Sequence, residues 1–135
     1  MSTLTMENYE TNGLLHEMFV QQAARTPDAV AVVDAFGRLV TFGELDKLTS
    51  ALADHLQAWG VRPDTCVGIY MDKCVEYVVA YLGILRAGGA YMPLDVSYPD
   101  LLLADILQDA KPVAVLTEES LEHKLHGMAT RTWRP

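Results

Sequence analysis

Apolar residues recur along this chain with two periods, one typical of helices and the other of short buried strands. Two apolar runs flank the turn residues 34–37, which predicts a hairpin, and beyond it helical and strand patterns alternate with short connections. Such alternation favours right-handed crossovers and a mainly parallel sheet with helices on its faces. The pattern predicts an α/β fold with an N-terminal β-hairpin, with helices at 14–26, 42–59, 73–86, 99–109 and 120–126 and strands at 29–33, 39–41, 66–71, 90–93 and 113–116.

The second helix has the clearest start. Thr41 is followed three residues later by Glu44, and this spacing is that of a capping box, in which each side chain accepts the other residue's backbone N–H. Apolar residues then recur at steps of three and four, which predicts one buried face. For this helix the predicted face consists of Phe42, Leu45, Leu48, Leu52, Leu56 and Trp59, and for the fourth helix it consists of Leu102, Leu103, Ile106 and Leu107.

Residues 85–99 join the most apolar helix to the next one. Gly88 and Gly89 follow Arg86, and glycine just past a helix end with a cation in the last turn is a common way for a helix to end. A short strand follows, and Pro93 limits its continuation because proline lacks an N–H. The helix before this joint is apolar on almost every side, so we expect it to lie between a sheet and other elements.

Composition limits the classes of function. The chain has 135 residues, of which 50% are hydrophobic and 21% charged, which is typical of one globular domain. Its net charge of −8 argues against a nucleic-acid partner, because phosphate binding needs a basic surface. No secretory signal is visible, and no apolar run approaches the roughly 20 residues of a membrane span. We therefore expect a cytoplasmic protein with no membrane partner and with a flexible tail at residues 1–13.

Glycines and cysteines are the first candidate sites. The sequence contains neither GxGxxG nor GxxxxGK[ST], and the pair Gly88–Gly89 follows a helix, whose C-terminal end repels phosphate. Cys66 and Cys74 lack the spacing of a zinc knuckle or a redox pair, so packed thiols in a reducing compartment are expected. The alternative for Cys74 is a lowered thiol pKa, because it follows Lys73 at a predicted helix start.

Other chemistry-bearing residues also have structural interpretations. His123 and His126 are three apart on a predicted helix, but a metal site needs a further ligand and no convincing one is nearby. Asp95 is a conceivable general acid or base. Its position in a turn beside a proline instead favours a structural role in forming that turn. Tyr91 and Tyr98 are expected to pack rather than to stack on a ligand.

Three stretches resemble a known family. They read LLHEMFVQQAARTPDAVAVVD at 14–34, VTFGELDKL at 40–48 and LRAGGAYMPLD at 85–95. They resemble the adenylate-forming, AMP-binding enzymes, and the similarity is greater to adenylation domains of nonribosomal peptide synthetases than to acyl-CoA synthetases. The resemblance implies that residues 14–127 form the N-terminal part of an adenylation domain's large subdomain. Residues 128–135 lose all periodicity, so we expect an irregular C-terminal tail there.

The resemblance also implies a reaction. Family enzymes use ATP and Mg²⁺ to convert a carboxylate into an acyl-adenylate, and then pass the acyl group to the phosphopantetheine thiol of a carrier protein. The catalytic groups of the family come from later motifs, which this sequence does not contain. We therefore assign no catalytic, cofactor-binding or metal-ligating residue to this chain, and we expect it to bind no cofactor alone and to be inactive.

Two classes of function remain open. The first is part of an adenylating ligase, of the peptide-synthetase type or of the acyl-CoA type. The second is a non-catalytic interaction module or truncated isoform, which binds a protein partner or a second copy of itself through an uncovered sheet edge. In the family, the residues that select the acyl substrate lie downstream of the motifs found here.

Overall fold

The computed structural model describes residues 14–128 and 131–133. It contains the helices α1 Leu15–Arg25, α2 Phe42–Ala58, α3 Val75–Arg86, α4 Asp100–Ala110 and α5 Glu119–Glu122, followed by one 3-10 turn, His123–Leu125. Its strands are β1 Val30–Val33, β2 Leu39–Thr41, β3 Cys66–Tyr70, β4 Ala90–Pro93, β5 Ala114–Thr117 and β6 Thr132–Trp133. The predicted α/β fold with its N-terminal hairpin is confirmed. The predicted flexible tail at 1–13 lies outside the described residues.

The chain divides into two compact units, residues 1–47 and residues 48–135. In the first unit, β1 and β2 form an antiparallel hairpin. The carboxylate of Asp34 closes its turn by accepting the backbone N–H groups of Phe36 and Arg38. The predicted capping box is confirmed at the start of α2, because Glu44 accepts the N–H of Thr41 at 3.0 Å and Thr41 accepts the N–H of Glu44 at 3.2 Å.

In the second unit, four parallel strands form a sheet in the order β4-β3-β5-β6. Strand β6 lies within residues 128–135, where we expected an irregular tail. It forms because the edge of β5 that faces away from β3 has backbone groups available for hydrogen bonding. The N–H of Val115 donates to the carbonyl of Arg131 at 2.8 Å. Within the described part of the chain, no helix is both long enough and apolar enough to cross a membrane.

Helices cover both faces of this sheet. On one face, residues from β3, β5, α4 and the 3-10 turn form a buried cluster with the residue that follows β4. The cluster consists of Tyr70, Leu94, Leu103, Leu107, Val115 and Leu125. On the other face, α3 packs against β3 and β4. The opposite side of α3 approaches α2, where Gly83 faces Leu52. The prediction that α3 lies between the sheet and another element is therefore confirmed.

The prediction that Leu48 and Leu102 belong to the buried faces of their helices is wrong. Leu48 is 49% exposed and Leu102 is 44% exposed. On α2 the fully buried residue at this level is Thr49, whose hydroxyl accepts a hydrogen bond from Arg86 at 2.9 Å. On α4 the buried stripe passes through Leu103 and Leu107, four residues apart, and Leu102 is rotated about 100° away from Leu103 because successive helical residues differ by that angle.

Candidate functional site

A cleft of about 530 Å³ lies at the point where β3 and β4 end. Parallel α/β sheets place ligands outside the carboxyl ends of their strands, so this is the position at which such a fold offers a site. The last part of the LRAGGAYMPLD motif forms one wall, and the loop between β3 and α3 forms the other. The lining residues are Met71, Asp72, Lys73, Tyr77, Pro93, Leu94, Asp95, Val96 and Tyr98.

The wall that follows β4 is a turn organised by Asp95. One oxygen of its carboxylate accepts the backbone N–H of Ser97 at 2.8 Å and the hydroxyl of the same residue at 2.7 Å. These two bonds, together with the ammonium of Lys73, lower the pKa of Asp95. The N–H of Tyr98 closes the turn by donating to the Asp95 carbonyl at 3.1 Å. The interpretation of Asp95 as a turn former is therefore confirmed.

The opposite wall leads into α3 through Cys74. Its thiol donates to the carbonyl of Asp72 at 3.2 Å. Burial raises the pKa of Cys74, and a hydrogen bond to Glu76 and the charge of that carboxylate raise it further. The alternative of a lowered Cys74 pKa is thus wrong. Burial also raises the pKa of Cys66, and both cysteines are half-buried free thiols. Raised pKa values and partial burial are typical of cysteines that pack in the fold rather than of catalytic cysteines.

The charges of the cleft do not fit ATP with Mg²⁺. A bound triphosphate needs several cations or backbone N–H donors directed at one place. As far as the structure describes the chain, the lining carries one cation, Lys73, beside two carboxylates, Asp72 and Asp95. Among residues 14–128 and 131–133, no group of three or more carboxylate, imidazole or thiol side chains is placed to hold a metal ion. No step of nucleotide chemistry is assigned to these residues.

The glycine pair of the central motif ends α3 as expected. The N–H of Gly88 donates to the Leu85 carbonyl at 3.0 Å, and Gly88 has a φ of +91°, which favours glycine. Gly89 is required for a different reason, because a β-carbon there would lie 2.7 Å from Cγ1 of Val61. The interpretation of this pair as a helix cap is confirmed.

The histidines and the two singled-out tyrosines do not converge on one site. His123 and His126 lie at the two ends of the 3-10 turn, and both are exposed. Tyr98 lines the cleft and packs against the buried cluster. Tyr91 is instead 42% exposed, and its ring contacts that of Tyr81 with centroids 5.8 Å apart.

Sequence reasoning missed Lys73 and Tyr77 as neighbours of the Asp95 turn. The two segments are joined in space because β3 and β4 are adjacent and parallel, with Ile69 paired to Pro93. One available signal was the position of both segments directly after predicted neighbouring strands.

Comparison with known proteins identifies the family. A sequence profile of the AMP-binding enzymes matches residues 19–132. The chain belongs to this family. It is 47% identical over 108 residues to chondramide synthase cmdD of Chondromyces crocatus, covering 78% of this chain and 3% of that protein. It is 44% identical over 116 residues to malpinin synthetase of Mortierella alpina, covering 86% of this chain and 2% of that protein.

Solved structures of the family share the fold. The nonribosomal peptide synthetase FmoA3 superposes with a TM-score of 0.84 at 42% identity, covering 90% of this chain and 13% of that chain. The AMP-binding profile includes both the VTFGELDKL and LRAGGAYMPLD segments, so the resemblance stated from the sequence is confirmed. The chain spans only a small part of the relatives that it matches.

Proposed function

We propose that this chain supplies the N-terminal scaffold of an adenylation domain, with residues 14–127 as part of its large subdomain. The complete domain activates an amino acid or another carboxylate as an acyl-adenylate and transfers it to the pantetheine thiol of a carrier protein. The observation that carries this proposal is the AMP-binding match over residues 19–132, together with the superposition on FmoA3 at a TM-score of 0.84.

The ligands of FmoA3 support this chemistry. That protein has been solved with AMPPNP and, separately, with α-methyl-L-serine-AMP. The first is a nucleotide analogue and the second is an amino-acyl adenylate, which together represent the substrate and product sides of adenylation. Gramicidin S synthase 2 of Brevibacillus brevis and the polyketide synthase PksN of Bacillus subtilis are among the relatives, which supports a carrier-protein partner for the complete domain.

The role that we assign to this chain is positional. The glycine cap after α3 sets where β4 begins, and the turn of Asp95 and Ser97 sets where the chain leaves it. The carboxylates of the cleft and the missing phosphate loop support the view that the 135 residues do not catalyse adenylation by themselves. The phosphate-binding groups belong to other segments of the domain.

The first test is ATP–pyrophosphate exchange by the purified chain with pooled amino acids and Mg²⁺. Circular dichroism must show that the chain is folded. We expect no exchange above background. Exchange by the folded chain would contradict the scaffold role and would require a nucleotide site within these residues.

The sharper test is a chimera in which this chain replaces the corresponding segment of FmoA3. We expect the chimera to retain pyrophosphate exchange with α-methyl-L-serine, because the replaced segment contributes fold rather than catalytic groups. A matched chimera carrying Gly89→Val should lose exchange and soluble yield together, since Val61 occupies the space needed. A folded chimera of the unmodified sequence without exchange would overturn the proposal.

A further inference from the structure

We draw no further inference here: the strongest candidate, the cleft at the carboxyl ends of β3 and β4, belongs to the site already described, and its described lining of one ammonium, two carboxylates and two phenols among apolar side chains favours no single class of ligand.

Discussion

Gly83 of α3 approaches Leu52 of α2 so closely that a β-carbon on Gly83 would lie 2.6 Å from Cδ2 of Leu52. The contact also involves the root of the leucine side chain, because the same β-carbon would lie 3.1 Å from its Cβ. A change of rotamer at Leu52 alone does not clear this space. The two helices therefore pack so closely that a larger residue than glycine at position 83 requires Leu52 or one of the helices to shift.

The first prediction concerns this contact. Gly83→Ala gains about 1 kcal/mol of helix propensity but costs about 1–3 kcal/mol of overpacking, so we expect a net loss of stability of about 1 kcal/mol. Urea unfolding measures it. In a double-mutant cycle with Leu52→Ala, the cost of Gly83→Ala should disappear, because the obstructing side chain is gone. Strict additivity of the two changes would contradict the contact.

The second prediction separates two reasons for glycine. Gly89→Ala places a methyl group 2.7 Å from Val61 and should lower the free energy of unfolding by about 1–3 kcal/mol. Gly60 is the matched control, because its φ is +97° but, apart from its chain neighbours, no described residue has an atom within 4 Å of an added β-carbon. Gly60→Ala should cost only about 1–2 kcal/mol of backbone strain. Val61→Ala should relieve the cost of Gly89→Ala, because it removes the methyl group that the new β-carbon would meet.

The third prediction concerns the phenol of Tyr70. This side chain is fully buried, and its hydroxyl has no hydrogen-bond partner among the described residues. Tyr70→Phe should therefore raise the free energy of unfolding by about 1 kcal/mol, since an unsatisfied buried hydroxyl is costly. Thr117→Val is the contrasting variant, because the Thr117 hydroxyl donates to the Tyr70 carbonyl at 2.7 Å and is buried. It should lower stability by about 1–2 kcal/mol. Equal signs for the two variants in urea unfolding would refute this account.

The fourth prediction concerns the start of α2. Thr41→Ala removes the hydroxyl that accepts the Glu44 N–H and should cost about 1 kcal/mol of stability. Thr41→Ser retains an oxygen in the same place and should cost much less. The shift of the unfolding midpoint in urea measures both. A Ser variant as unstable as the Ala variant would show that the methyl group of Thr41, rather than the cap, is responsible.

The fifth prediction concerns the thiols. Burial raises the pKa of Cys66 and of Cys74, so the folded chain holds its thiol protons more tightly than the unfolded chain does. Stability is therefore fully present below the thiol pKa of the unfolded chain and falls as pH rises through the raised values. Iodoacetamide should react with folded protein more slowly than with urea-unfolded protein at the same alkaline pH. Faster reaction of the folded chain would show an activated thiolate.

Local interactions explain why the elements could be predicted. The capping box of Thr41 and Glu44 spans three residues, and so does the bond from Gly88 to Leu85 in the glycine cap, so both depend on residues close together in the chain. The family could be identified for the same reason, because its motifs are contiguous stretches. The fold class followed from the alternation of the elements.

Only the tertiary structure decided which residues meet across the fold. Periodicity predicted that Leu48 and Leu102 are buried, but the direction of each buried stripe depends on where the neighbouring helix or strand lies. The cleft between Lys73 and Asp95 exists because β3 and β4 lie side by side, and the spacing of α2 from α3 depends on Gly83 facing Leu52. The sequence by itself determined the elements, the caps and the family, because these rest on neighbouring residues. The site, the strand β6 and the close contacts rest on residues far apart in the chain, and packing alone brings those together.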